Sequence, residues 1–187
     1  MRVIAGIARS VPLATVEGDD TRPTTDRIKE TLFNVLQGYT EDSVFLDLFS
    51  GSGQIGIEAL SRGAKRAVFV EQAAGCIQCI QANLTKTKLK DRAKVMKMDV
   101  LAAIRTLAVS GHVFDVIFLD PPYRKGMEAD VLQALADSSI VSDRTLIVVE
   151  AAKEEDFSYV EDLGFQIVKN KIYKSNQHVF LKKIGER

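Results

Sequence analysis

From Val44 onward, short apolar, β-prone runs alternate with segments whose apolar positions recur every three or four residues. Val44–Asp47, Ala67–Glu71, Lys94–Asp99, Phe114–Asp120 and Leu146–Glu150 read as strands. Helical periods fall between them, near Gly53–Ser61, Ala73–Thr85, Val100–Ala108 and Met127–Ala136. This rhythm predicts an α/β fold built on a doubly wound, mostly parallel sheet. After Leu146 the rhythm changes. A short helix near Phe157–Leu163 leads to a strand at Phe165–Tyr173, then Lys174-Ser175-Asn176, then a strand at His178–Lys182. That loop is too short for a parallel crossover, so the last strand is antiparallel.

Two smaller units precede the sheet. Arg2–Ala8 and Val11–Val16 flank Arg9-Ser10 and predict a β-hairpin. Thr24 or Thr25 then caps a helix whose first turn carries Asp26 and whose apolar face is Ile28, Leu32, Val35 and Leu36, with Gly38 ending it. The 187 residues fit one domain: a hairpin extension over 1–20, a helix over 21–40 and the core over 41–187.

Composition narrows the classes. With 25 basic and 25 acidic residues the formal net charge is zero, so no global field advertises a polyanionic partner and any nucleic-acid contact is local. No stretch has the apolar length of a membrane span and the amino terminus lacks a signal-peptide core, which predicts a cytoplasmic protein. Cys76-Ile77-Gln78-Cys79 looks like a helix interior. The only histidines, His112 and His178, lack ligand spacing, so no metal site is expected. The run Lys86, Lys88, Lys90, Arg92, Lys94, Lys97 joins a helix end to a strand start. It therefore reads as helix-terminal and solvating charge rather than a nucleic-acid patch.

Chemistry concentrates at the strand ends. Gly51-Ser52-Gly53-Gln54-Ile55-Gly56 follows the first sheet strand, opens a helix and matches the dinucleotide fingerprint, with Glu71 placed to accept ribose hydroxyls. Asp47 immediately before the loop is awkward beside a pyrophosphate but suits the cationic amino group of a methionine moiety. Asp99 is placed to meet an adenine amino group. Three acids and no basic residue in the loop favour S-adenosylmethionine over NAD.

Asp120-Pro121-Pro122-Tyr123 ends the strand Phe114–Asp120 in the region where open α/β sheets bind ligands. The two prolines stiffen the segment and donate no N–H, leaving carbonyls as fixed acceptors beside an aromatic ring. Such a cluster suits an amino group on a planar heterocycle. It also suits a plain strand-ending turn.

Together these stretches resemble a family. Asp47–Gly56, Glu71, Asp99 and Asp120–Tyr123 are similar to the ordered motifs of Rossmann-like, S-adenosylmethionine-dependent amino-methyltransferases, although DPPY is shared with DNA adenine methyltransferases. The segment Arg22-Pro-Thr-Thr-Asp-Arg-Ile-Lys-Glu-Thr-Leu-Phe-Asn-Val-Leu36, with Glu58-Ala-Leu-Ser-Arg-Gly-Ala64, narrows the likeness to the RsmD family of 16S rRNA guanine-N2 methyltransferases. The resemblance implies a seven-stranded sheet, a monomer, and small-subunit rRNA or a ribosomal assembly particle as partner. It implies that Asp120, Pro121, Pro122 and Tyr123 are catalytic. Asp47, Phe49, Gly51, Ser52, Gly53, Gly56, Glu71, Asp99, Val100 and Asp120 would hold the cofactor, with Thr24 joining them as Arg22 to Thr25 close over the site. RNA contacts would come from Arg2 and Arg9 of the hairpin, from Arg22, and from Arg124, Lys125 and Lys174 on the active face. The chain departs from the family in one respect: Val11–Val16 lacks the basic residues usual in that hairpin. Other readings stay open: an amino-methyltransferase of another RNA or DNA base such as adenine N6, a NAD-dependent oxidoreductase, and a cofactor-binding or RNA-binding assembly module without chemistry.

Overall fold

The computed structural model describes residues 1–16, 25–122 and 126–185. Helix α1 (Asp26–Val35) precedes four βα repeats and a fifth strand: β1 (Val44–Leu48), α2 (Gln54–Ser61), β2 (Arg66–Glu71), α3 (Ala74–Thr87), β3 (Ala93–Lys97), α4 (Val100–Val109), β4 (Val116–Leu119), α5 (Met127–Ala136) and β5 (Leu146–Ala152). Strands β6 (Phe165–Ile172) and β7 (Asn176–Lys183) finish the chain. The seven-stranded sheet runs β3-β2-β1-β4-β5-β7-β6. Pairing is parallel except at β7, which is antiparallel to both β5 and β6.

Chain direction across the sheet reverses between β1 and β4. The connections leaving these two strands therefore diverge, and a crevice opens beyond their carboxyl ends. The central strands are nearly all apolar because both faces are covered. Leu46, Leu48, Ile117, Leu119, Ile147 and Val149 pack with α4 and α5. Phe45, Phe69, Val116, Phe118, Val148 and Phe180 face α1, α2, α3 and the amino-terminal segment.

That segment pairs more briefly than its sequence suggests. Among the described residues the hairpin is reduced to one antiparallel bridge, Arg2 to Pro12, flanked by bonds from Val3 N to Val11 O and from Leu13 N to Met1 O. Pro12 has no N–H to donate, and Gly6 (φ +83) and Ser10 (φ +68) turn the chain away from extended geometry. Docking to the core replaces the missing ladder. Glu58, fully buried on α2, accepts from Ile4 N (2.8 Å), Ala5 N (3.0 Å) and Arg62 Nε (2.7 Å), and lies 3.6 Å from the buried Lys29 ammonium. Burial holds that lysine below its ordinary pKa, opposed by the attraction of Glu58. Lys29 Nζ also donates to Arg2 O at 2.6 Å.

A Cβ on Gly6 would lie 1.8 Å from Ser61 O. Gly6→Ala is therefore expected to lower stability by about 2 kcal/mol or more, from overpacking plus left-handed strain. Urea unfolding measures this; a midpoint equal to that of the wild type would show that the segment does not dock as described.

Thr25 caps α1, its Oγ1 accepting from Ile28 N at 3.3 Å. The helix expected near Phe157–Leu163 is a single 3-10 turn, Ser158–Val160. Within the basic run, Arg92 donates to Leu60 O and Ala64 O (both 3.1 Å), tying down carbonyls at the end of α2. Cys76 and Cys79 lie one turn apart on α3 as free thiols, and burial pushes both above the ordinary thiol pKa. Among the described residues no helix is long and apolar enough to cross a membrane.

Candidate active site

Side-chain alternation along the strands sends Asp47, Glu71, Glu150 and His178 to the same face of the sheet, that of Phe45, Phe69, Val148 and Phe180. Asp120, one step past β4, continues the alternation of Val116 and Phe118 onto that face. A row of polar groups thus runs β2, β1, β4, β5, β7 along the carboxyl edge of the sheet, centred on the crevice.

The glycine loop occupies the β1 side of the crevice. Phe49 (φ +61), Gly51 (φ +54) and Gly53 (φ +78) are all left-handed, which turns the chain sharply from β1 into α2. Ser50 N donates to Val70 O and Gly53 N to Ser50 O. A Cβ on Gly56 would lie 2.4 Å from the Phe69 ring, so only glycine lets α2 pack this closely on β2. Over Gly51 nothing lies within 4 Å among the described residues, and the loop is open to a ligand there. Gln54 Oε1, at the first residue of α2, is buried without a partner among the described residues.

Asp47 is buried (1% exposed), and Gly56 N donates to its Oδ2 at 3.0 Å. Burial outweighs that bond and, with repulsion from Glu71, pushes its pKa up to about 7. Among the described residues this carboxyl group has no countercharge. Glu71 accepts from Gly51 N (3.0 Å) through one oxygen and from Gln72 N and Ala73 N (2.8 and 2.9 Å) through the other. It is therefore a brace between β2 and the glycine loop, with one lone pair to spare, on the oxygen that takes Gly51 N. Asp99 lies beyond β3 rather than in it. It caps α4, its Oδ1 accepting from Leu101 N and Ala102 N at 2.9 and 3.1 Å, while the side chain stays exposed and Val100 is buried behind it.

Across the crevice, Pro121 is buried and Pro122 exposed. The Asp120 carboxylate has no hydrogen-bond partner among the described residues. Burial, then the charges of Glu150, Asp47 and Glu128, hold its pKa well above the ordinary carboxylate range. Tyr123, Arg124, Lys125, Arg22 and Thr24 lie outside the described residues.

Sequence reasoning missed three residues here. Asn83 on α3 holds Ser52 O of the glycine loop through Nδ2 (3.0 Å) and Ala14 N through Oδ1 (2.8 Å), so it fastens the loop to the amino-terminal segment. Its place one turn beyond Ile80, on the apolar face of α3, was the available signal. Glu150 and His178 are the others. Of the basic residues, Lys174 is exposed in the β6–β7 turn, at the carboxyl edge because Asn176 pairs with Ala152. Arg2 binds Asp26 at 3.0 Å. With exposed Arg9 and Arg27 it borders a cleft of about 410 Å³ between the amino-terminal segment and α1.

A family model described as Conserved hypothetical protein 95 matches residues 1–182. Ribosomal RNA small subunit methyltransferase D of Haemophilus influenzae is 34% identical over 182 residues, covering 94% of each chain. The protein of that name in Escherichia coli K12 is 37% identical over 154 residues, 82% of this chain and 76% of that one. Among solved structures, yhhF from Escherichia coli superposes with a TM-score of 0.85 at 33% identity, covering 98% of this chain and 97% of that one.

Proposed function

The chain belongs to the ribosomal RNA small subunit methyltransferase D family, and on that premise we propose that it methylates the exocyclic N2 amine of a guanine in small-subunit rRNA, using S-adenosylmethionine. The observation that carries this reading is the meeting of an uncompensated buried acid, an open glycine loop and Asp120-Pro121-Pro122 in one crevice. When bound, S-adenosylmethionine supplies a methyl group on a sulfonium centre and a cationic amino group. Asp47 fits that cation, since an acid held up to about 7 by burial gains most from a positive neighbour. Glu71 accepts a ribose hydroxyl on the lone pair left at the oxygen that braces Gly51. Asp99 and Val100 border the adenine, the exposed carboxylate accepting from its amino group. Phe49, Ser52 and Thr24 complete the enclosure.

The chain's own part in catalysis is to prepare the amine. A guanine N2 lone pair is delocalised into the ring and is a poor nucleophile. Asp120 and the Pro121 carbonyl accept its two N–H bonds, fixing the nitrogen and favouring pyramidal geometry, a gain from positioning and electrostatics. The proline pair keeps these acceptors rigid. Tyr123 stacks on the base, which leaves its own stack to reach the site. Arg2, Arg9, Arg22, Arg124, Lys125 and Lys174 contact phosphates around the crevice. On this reading a monomer meets rRNA or an assembling particle in the cytoplasm.

An oxidoreductase with the same glycine loop is the rival. Its pyrophosphate would lie against Asp47, like charge on like. Saturating S-adenosylhomocysteine is expected to stabilise the protein by about 3 kcal/mol at a hundredfold excess over Kd, with NAD giving no shift. Stabilisation by NAD alone would overturn the assignment.

A further inference from the structure

Glu150 and His178 neither hold the cofactor nor touch the base in this mechanism, yet both are buried at the carboxyl edge (3% and 0% exposed). They face each other across β5 and β7, with His178 Nε2 3.0 Å from Glu150 Oε2. The other imidazole nitrogen meets the Tyr173 hydroxyl at 3.1 Å, and Asn176 Nδ2 donates to Glu150 Oε1 at 2.7 Å. Phe118 and Phe180 pack against the imidazole edge-on, at 6.2 and 6.5 Å. Every polar atom of the pair is thus satisfied inside an apolar wall. A buried acid–imidazole pair costs desolvation that apolar side chains would avoid, so its value lies elsewhere than in stability.

Its position says where. Leu119 pairs with Val149, so Asp120 and Glu150 take the next, neighbouring places on the same face. We propose, resting on the methyl-transfer reading, that Glu150 and His178 are a positioning couple that sets the charge of Asp120 and thereby its grip on the substrate amine. Glu150 is the largest of the charges acting on Asp120, ahead of Asp47 on β1 and Glu128 on α5. A proton on His178 offsets Glu150 and lets Asp120 ionise. The groups around His178 are Glu150, Tyr173, whose hydroxyl burial and Glu150 push up to about 12, and exposed Lys171, opposite it on β6.

The two members of the couple act on Asp120 with opposite sign, which separates tuning from packing. Single-turnover methyl transfer is followed from about pH 5 to pH 9. Glu150→Gln removes the repelling charge and moves the acidic limb of the profile down by about one pH unit; His178→Gln leaves Glu150 unbalanced and moves it up by a similar step. S-adenosylhomocysteine affinity stays within about twofold in both, reporting an intact cofactor site. Should His178→Gln fail to fold, Tyr173→Phe removes only the acceptor for a second imidazole proton and moves the limb upward by a smaller step. Slower variants with the limb unmoved would overturn the couple, leaving these residues as packing alone. A wild-type protein that methylates no RNA would overturn the methyl-transfer reading itself, and the couple with it.

Discussion

Replacing Asp120 by alanine is expected to slow single-turnover methyl transfer by on the order of 100-fold or more, with S-adenosylhomocysteine affinity changed by no more than about threefold. The reason is differential. Asp120 meets the amine, whose N–H bonds become more acidic as the nitrogen acquires its methyl group, so the carboxylate binds the transition state more strongly than the substrate. Asp120→Asn carries a second consequence. Asp120 is held above its ordinary pKa by burial and by Glu150, Asp47 and Glu128, so its charge opposes folding. A carboxyl group whose folded pKa is raised binds more protons in the native state than in the unfolded one. Its stabilising effect is complete at low pH and is lost as pH rises through the folded value. The asparagine variant is therefore expected to be inactive yet more stable at pH 8, with the gain vanishing near pH 4. Thermal melts at both pH values with parallel transfer assays check this; wild-type turnover in either variant would remove Asp120 from the mechanism.

Asp47 gives the second large effect. Burial pushes its pKa up to about 7, so the unliganded site takes up a proton as pH falls through neutrality. A bound ammonium group favours the carboxylate, so binding expels the proton. Affinity is then level above about pH 7 and falls by up to tenfold per unit below it, until the pKa of the complex is reached. Asp47→Asn keeps an acceptor for Gly56 N but loses the charge. It is expected to weaken S-adenosylhomocysteine binding about 10- to 100-fold at pH 8, the range of a charged hydrogen bond, and to flatten the pH dependence. Calorimetric titration from about pH 5 to pH 9 reads both. Wild-type affinity that does not change through neutrality would contradict the buried, uncompensated acid.

What the chain discloses before folding follows the range of the interactions involved. The glycine loop was legible because its turn, its acid and its helix are contiguous, and Gly51, Gly53 and Gly56 stand where a side chain cannot or a ligand must. The reversal of β7 followed from the brevity of the turn before it. The hairpin expected from the runs flanking Arg9-Ser10 is cut to one bridge, because Gly6 and Pro12 break the ladder and docking through Glu58 takes its place. Asp99 was placed at a strand end and proves to be a helix cap, a local competition that strand periodicity does not resolve. Glu150 and His178 were invisible for a different reason. They are 28 residues apart, and only the reversed strand makes them neighbours.

The identity of the methyl acceptor is read most directly by mapping the methylated base. Labelled S-adenosylmethionine is offered to small-subunit particles lacking the modification, to naked rRNA and to DNA, and the labelled base is then mapped. Label on N2 of one guanine in small-subunit rRNA, lost with Asp120→Ala, is the result this account requires. Label on adenine N6, on cytosine N4 or on DNA would contradict it.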